Sequence, residues 1–235
     1  MTIPTTGIVF LFGAGVYIFS SYKFYQCWKR ENNYIAKLFA YAFFLLGLHW
    51  FLNVIPCLMF IGDQALIWRI IDPARIFFLF TGITILGYTM SYIRFPKYKW
   101  LAVILLSTIT ITAIWLFIIS PPTYFYINGS LGWEIEPIIG IISFLPIALT
   151  VVPMGIVFFQ EARRAEDKRV KIRAFGLGLA MCWGIFPSIM DFILGNFFKI
   201  PPLYSDLSYL GCFLFLFITI LLTWKPALPR VRVKI

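Results

Sequence analysis

Seven long apolar runs dominate the chain, and short stretches rich in charged residues, proline or aromatic residues separate them. The apolar positions are continuous rather than alternating, which is typical of helices and not of membrane-spanning strands. A helix crosses the hydrocarbon core of a bilayer with roughly 20 mostly apolar residues. By this criterion the spans lie at residues 7–27, 35–61, 73–93, 100–119, 138–160, 173–194 and 207–224.

The composition agrees with a chain that spans a membrane. Hydrophobic residues make up 61% and charged residues 13%, whereas soluble domains have about 45–50% and about 25%. Helices buried inside a soluble protein would need hydrophilic faces elsewhere to cover them, and none remain. The prediction is an all-α integral membrane protein, a single domain over residues 1–235 built as a bundle of seven transmembrane helices.

Basic residues are distributed unevenly between the two sets of connections. If the amino terminus lies outside, the inner connections and the carboxyl-terminal tail hold 17 of the 20 basic residues, and Arg69, Arg75 and Lys199 lie outside. Basic connections stay in the cytoplasm, so we expect the amino terminus outside and the carboxyl terminus inside, at the plasma membrane. Anionic cytoplasmic lipid is the expected counter-charge, and this distribution excludes a nucleic-acid partner.

Two connections are long enough to carry function. On the outer side, residues 120–137 are rich in turn formers and aromatic residues, and we expect them to fold over the helix ends as a cover. On the inner side, residues 160–173 mix both charges without Pro or Gly, which favours extended helices and a surface for a cytoplasmic protein partner. Asn128 begins a glycosylation sequon that matters only in a eukaryotic host.

The stretch Asp72-Pro73-Ala74-Arg75 stands at the start of the third run. Asp is a preferred N-cap residue and Pro suits the first helical position, so Asp72 and Pro73 are predicted to begin the third helix. Arg75 then lies one turn inside, where it either pairs with Asp72 or turns inward to hold a carboxylate or phosphate.

A row of small residues marks one face of the sixth run and ends at an acid. Small residues at a spacing of four let helices pack closely, so this face, which Asp191 continues three residues later, is expected to contact protein rather than lipid. Asp191 is therefore either a structural partner of Arg75 or a proton-titrating or cation-binding group. The row consists of Gly176, Ala180, Gly184 and Ser188.

His49, the only histidine of the chain, lies in the middle of the second run, with Asn53 one turn further on. A single histidine cannot form a histidine metal site, and no metal is predicted. It is either a neutral residue bonded to a neighbouring helix or a group that contacts ligand and senses pH. Aromatic residues at this depth, such as Trp50, either pack the core or line a cavity for a lipid-like or ring-shaped ligand.

Seven spans invite comparison with two families. Retinal proteins need a lysine in the last helix, and "LSYLGCFLFLFITILLTW" has none, so neither retinal nor another cofactor is predicted. The topology resembles G-protein-coupled receptors, but the third run ends "SYIRFPKYK" without an acid-Arg-Tyr triplet, and the seventh lacks Asn-Pro-x-x-Tyr. No esterase, zinc-protease or phosphate-loop motif occurs, which argues against an enzyme.

We therefore hypothesise a receptor- or sensor-like module with a pocket in the outer half, between helices two, three, six and seven. Arg75 and Asp191 would form its polar floor, His49 and Asn53 its deeper wall, and a separate cytoplasmic partner would receive the signal. The alternatives are a small proton-coupled carrier that uses Asp191, an intramembrane lipid-modifying enzyme, and a structural or assembly role. Self-association into a homo-oligomer is a further option.

Overall fold

Eight α-helices form the bulk of the computed structural model, which describes residues 4–59, 64–127 and 129–223. Within these ranges seven helical segments are long and apolar enough to cross a bilayer, and the structure is 87% helical. The prediction of an all-α, multi-pass membrane protein is thereby confirmed, while the side that each end faces stays a prediction. The helices are α1 (Thr5–Glu31), α2 (Tyr34–Val54), α3 (Gln64–Arg94), α4 (Lys99–Ile119), α5 (Pro137–Arg164), α6 (Lys168–Ile189), α7 (Gly195–Phe198) and α8 (Pro202–Thr223).

Three features interrupt the plain helical pattern. π-Helical turns extend α2 at Ile55–Met59 and α6 at Met190–Leu194, so the sixth crossing comprises α6, its π-helical turn and α7. The cover predicted at residues 120–137 contains an antiparallel hairpin of β1 (Thr123–Ile127) and β2 (Ser130–Glu134). Gly129 has a φ of 87° in the tight turn between the strands, a conformation that residues with a side chain rarely adopt.

Six of the spanning helices form a closed ring. α1 packs on α2, α2 on α3, α3 on α5, α5 on α6, α6 on α8, and α8 returns to α1. α4 lies outside this ring against α3 and α5, and its Leu101 and Ile111 side chains are 64% and 66% exposed. Lipid tails are as apolar as leucine, so an outward apolar face costs nothing in a bilayer. The interior of the ring is where a buried site can form.

The two ends of the bundle differ in structure. One end, here called the hairpin end, carries β1 and β2 over the starts of α1, α5 and α8. The backbone of the hairpin is bonded to the helices there: Leu131 N–H donates to Thr6 Oγ1 at 2.7 Å, and Ile135 N–H to Asn196 Oδ1 at 2.8 Å. The hairpin is therefore attached to α1 and α7.

The opposite end, here called the basic end, contains the connections at residues 31–34, 94–99 and 164–168. Their turns follow from local chemistry. Asn32 adopts the left-handed conformation that ends α1, and the Asn33 side chain accepts two backbone N–H groups at the start of α2. Asp167 caps α6 in the same way. Capping side chains of this kind satisfy the free N–H groups of a helix end.

The prediction that Asp72 and Pro73 begin the third helix is wrong. α3 begins at Gln64, and Pro73 lies inside it. Proline removes one backbone hydrogen bond from a helix interior, but Trp68, in the preceding turn, stacks on Tyr124 of the hairpin with ring centroids 4.1 Å apart. This tertiary contact stabilises the helical turns of α3 that precede Asp72. The sequon at Asn128 and the basic tail after residue 223 lie outside the described residues.

The small-residue row of α6 faces α8. A Cβ atom at Gly176 would lie 2.4 Å from Thr219 Cγ2, so the two helices approach closely there. Further along, Cys212 Sγ lies 3.5 Å from the Ala180 carbonyl oxygen. At Gly184 the same hypothetical Cβ would meet only Cys212 Sγ, at 3.8 Å. Gly176 is thus a tight contact, whereas Gly184 has space beside it, and Ser188 bonds back to the Gly184 carbonyl at 3.0 Å.

Substituting Gly176 by Ala should destabilise the bundle. The new methyl group would overlap the Thr219 side chain, and overpacking of this kind costs about 1–3 kcal/mol. Gly15→Ala is the matched control, because a Cβ there meets no atom within 4 Å. Thermal unfolding in one detergent should show a lower midpoint for Gly176→Ala alone, and equal midpoints would contradict the close approach.

Candidate ligand site

A cavity of about 100 Å³ lies inside the helix ring, and Trp133 of β2 lines it on the hairpin side. Its wall is mainly apolar and comes from α1, α2, α3, α5, α6 and α8, with one residue of α4. Ligand sites are typically apolar with a few convergent polar groups. The polar groups here include His49, Asn53, Arg75 and Ser188. We call this space the central cavity.

Arg75 is the centre of the polar lining, and its side chain is only 4% exposed. It forms an ion pair with Asp72, one turn earlier on α3. Nη1 also donates to Asn53 Oδ1 at 3.3 Å, and Nη2 to the Tyr124 hydroxyl at 2.5 Å. The Tyr124 hydroxyl in turn donates to the Asp72 carboxylate at 2.6 Å. A buried charge is tolerated where a partner and hydrogen bonds compensate it, and both conditions are met.

Three aromatic rings surround the Arg75 guanidinium. Its Cζ atom lies 5.3 Å from the ring of Trp68, 5.8 Å from that of Tyr124 and 5.3 Å from that of Trp133. A desolvated cation–π contact contributes about 2 kcal/mol. Since Tyr124 and Trp133 belong to the hairpin, Arg75 joins α3 to the cover of the cavity.

Tyr124 lies in β1, outside the spanning segments, and acts as a neutral donor. Burial raises the pKa of its phenol above the usual value near 10; the Asp72 carboxylate adds to the rise, and Arg75 opposes it. The protonated phenol can therefore accept from Arg75 and donate to Asp72 at the same time.

His49 and Asn53 extend the network into α2. Nδ1 of His49 lies 2.8 Å from the Arg75 carbonyl oxygen, and because a carbonyl only accepts, Nδ1 carries the proton. Nε2 is then an acceptor, and Asn53 Nδ2 lies 3.3 Å from it. Asn53 Nδ2 also donates to the His49 carbonyl at 2.9 Å. This geometry corresponds to a neutral imidazole.

Asp191 does not join this network. It lies in the π-helical turn after α6, where Ser205 Oγ donates to its carboxylate at 2.5 Å and the Tyr209 hydroxyl also bonds it. Of the two partners that the sequence left open for Arg75, the structure pairs it with Asp72 and not with Asp191. The reason is local: a π-helical turn inserts an additional residue, so residues from Met190 onward no longer keep the face that α-helical spacing predicts.

A second cavity, of about 450 Å³, lies between the hairpin, α7 and the start of α8. We call it the hairpin cavity. Its charged lining consists of Asp191, Asp206, Glu134 and Lys199, of which the last two form an ion pair. Asp206 accepts a hydrogen bond from Thr6 Oγ1 at 2.6 Å. The lining is therefore predominantly acidic.

Three aromatic residues line both cavities and form the partition between them: Phe10, Trp133 and Tyr209. Trp133 also donates its indole N–H to the Asp191 carbonyl oxygen at 3.3 Å. The partition thus touches the Arg75 network on one side and the end of the sixth crossing on the other.

Sequence reasoning singled out His49, Asn53, Arg75 and Asp191, and the structure brings the first three together. Asp191 lies across the partition. The residues that the sequence did not reveal are aromatic, namely Trp68, Tyr124 and Trp133. The signal for two of them was the aromatic content of residues 120–137, which indicated a cover but not its contacts.

Known proteins add no constraint on the site. No protein family, no curated protein and no solved structure matches the chain. Across the described ranges, no group of three or more His, Cys, Asp or Glu residues could hold a metal ion.

Removing the Tyr124 hydroxyl should weaken the network. In Tyr124→Phe the Asp72 carboxylate loses a donor while the ring remains, and an unsatisfied buried group costs about 1–3 kcal/mol. Tyr22→Phe, at a tyrosine that is 54% exposed, is the matched control. We expect a lower unfolding midpoint for Tyr124→Phe only, and an unchanged midpoint would contradict the bridge between Arg75 and Asp72.

Alkaline pH should distinguish wild type from Tyr124→Phe. Because the folded-state pKa of Tyr124 is raised, its contribution is complete below the unfolded-state pKa of about 10 and is lost as pH rises above it. The unfolding midpoint should therefore fall more steeply above this pH for wild type than for Tyr124→Phe. Parallel pH profiles of the two proteins would show that the phenol has an ordinary pKa.

Proposed function

We propose that this protein is a membrane-embedded sensor module that binds a small ligand in the central cavity and signals to a partner at the basic end. The Arg75 network is the observation that supports this most. A buried ion pair often contributes no more stability than well-packed apolar residues, so a purely structural bundle gains little from it. Ionisable groups at membrane depth are instead typical of functional sites.

Trp133 offers a route from ligand to signal. It lines the central cavity, lies against Arg75 and bonds the Asp191 carbonyl at the end of the sixth crossing. A ligand that moves this ring would act on the π-helical turn of residues 190–194. The same crossing continues through α6 to Lys168 at the basic end.

The output surface is proposed to be the connection between α5 and α6. Residues 166–171 are all exposed and mix acids with bases. By the positive-inside rule the basic end faces the cytoplasm and the hairpin end faces outside. Anionic lipid would then lie beside this surface, within reach of the cytoplasmic partner, and the plasma membrane is the proposed location.

A proton-coupled carrier that uses Asp191 is the second candidate. Two observations favour it: Asp191 lies in a π-helical turn, a feature often found at functional sites, and it lines the hairpin cavity beside Asp206. This reading predicts pH-driven uptake into vesicles that is lost in Asp191→Asn. The sensor proposal predicts that neither wild type nor Asp191→Asn takes up solute in response to pH.

The test of the sensor proposal uses xenon as a small neutral probe that suits a cavity of about 100 Å³, followed by xenon-129 NMR in detergent micelles. Gly184→Val places two methyl groups at the wall of the central cavity, where Cβ has room. Gly15→Val adds the same groups where no atom lies within 4 Å. We expect saturable binding to wild type and Gly15→Val, and its loss in Gly184→Val.

Amide hydrogen exchange of residues 160–173, measured in the same samples, reports whether ligand binding changes the proposed output surface. Bound xenon should change the exchange of these amides in wild type and Gly15→Val, but not in Gly184→Val. Binding without any change at these amides would refute the sensor and leave the carrier. Absence of saturable binding would refute the central cavity as a ligand site.

A further inference from the structure

A groove at the basic end of the bundle shares no described residue with the central cavity or the hairpin cavity. It lies between the last turns of α5 and the first turns of α6, and its volume is about 850 Å³. We call it the α5–α6 groove. Its lining combines apolar side chains with basic ones, and includes Phe159, Ile172, Phe175, Arg163, Lys168 and Lys171.

The side of the groove nearest the middle of the bundle is apolar. α5 and α6 approach closely at Gly178, where a Cβ atom would lie 3.2 Å from the Gly155 carbonyl oxygen and 2.9 Å from the Phe159 ring. The Phe159 and Phe175 rings meet with centroids 5.6 Å apart, and the other lining residues follow toward the basic end. The two rings form an apolar floor, and Phe175 is 51% exposed, so this floor is open to lipid.

The charged part of the lining begins where the hydrocarbon core ends. Residues 137–159 of α5 carry no charge, and at 1.5 Å per residue they cover about 34 Å, close to the roughly 30 Å of a bilayer core. Arg163 lies one turn further, about 6 Å beyond Phe159, and on α6 Lys168 lies about 10 Å from Phe175. The bases are therefore at the level of the lipid headgroups, and the two rings are at the level of the acyl chains.

The charges of the groove are unbalanced. Its three bases stand against one acid, Glu166, among the described lining residues. Within the same described ranges, the ion pairs at this end of the bundle engage Arg30, Arg94 and Arg164, and none involves the three bases of the groove. Basic residues at the surface of a membrane attract anionic lipids. A phosphate at this position would meet positive charge that the protein leaves uncompensated.

We infer that the α5–α6 groove binds an anionic phospholipid, with its phosphate beside Arg163, Lys168 and Lys171 and an acyl chain against Phe159 and Phe175. A soluble phosphate would contact the bases only, whereas a phospholipid also buries apolar surface on the two rings. A zwitterionic lipid would bring an ammonium group to a lining that is predominantly basic. The inference goes beyond the proposed function and does not involve the central cavity, but the lipid would lie beside the proposed output surface.

The test is native mass spectrometry of the full chain in detergent, titrated with phosphatidylglycerol or phosphatidylcholine of identical acyl chains. The groove variant, Lys168→Gln/Lys171→Gln, removes two positive charges from the lining. The matched control, Lys29→Gln/Lys97→Gln, removes two charges from exposed lysines at the same end that do not line the groove. Competition with an excess of inorganic phosphate distinguishes a lipid from a free anion.

Each base beside an anionic lipid contributes roughly fivefold in affinity. We therefore expect the groove variant to need about 25 times more phosphatidylglycerol than wild type or the control for half-saturation of the first bound lipid. Wild type should prefer phosphatidylglycerol to phosphatidylcholine, and inorganic phosphate should leave the lipid bound. Equal half-saturation of the groove variant and the control would overturn the site. Equal binding of the two lipids would overturn the charge requirement, and displacement by phosphate would overturn the lipid.

Glu166→Gln tests the same groove through a gain of binding. Removing the one acid among the described lining residues should lower the half-saturation concentration of phosphatidylglycerol about fivefold, an effect that misfolding does not produce. Unchanged or weaker binding would contradict a phosphate beside the bases. The central cavity should bind xenon equally in all these variants, so failure of the lipid site and failure of the proposed function are distinguishable.

Discussion

The buried ion pair between Arg75 and Asp72 is the interaction on which the rest of the structure depends. Both residues lie within α3, but the atoms that complete the pair come from elsewhere: Asn53 from α2 and Tyr124 from β1. A charge at membrane depth has few alternatives to such partners. The pair therefore fixes where the hairpin lies and how α2 and α3 are aligned, and it gives the central cavity its polar side.

The closed ring of six helices explains why this polar side can exist. Apolar side chains fill most of the interior, with the rings of Phe43, Trp50 and Phe213 among them, and the central cavity remains between the helices. The outward faces need no polar residues because lipid surrounds them, so polar groups can be concentrated inside. The hairpin replaces lipid or water at one end and brings its own aromatic residues into the interior.

Much of the fold could be predicted from the sequence, since seven apolar runs of spanning length leave few alternatives. The start of α3 could not, because local rules made Asp72 and Pro73 a helix start, while a stacked contact between Trp68 and a distant strand extends the helix. For the site, the position of Arg75, His49 and Asn53 among apolar residues was enough to identify them as candidate site residues. The sequence left both Asp72 and Asp191 open as partners of Arg75, and helical spacing could not decide between them because the π-helical turn at Met190–Leu194 changes the face of Asp191.

The pair can be tested most directly with a double-mutant cycle, using the unfolding midpoints of Arg75→Gln, Asp72→Asn and the double variant in one detergent. Each single change leaves one buried charge without its partner, which costs about 3–5 kcal/mol, whereas removing both charges is far less costly. We expect the double variant to be more stable than either single variant. Additive losses of stability would contradict a buried, mutually compensated pair.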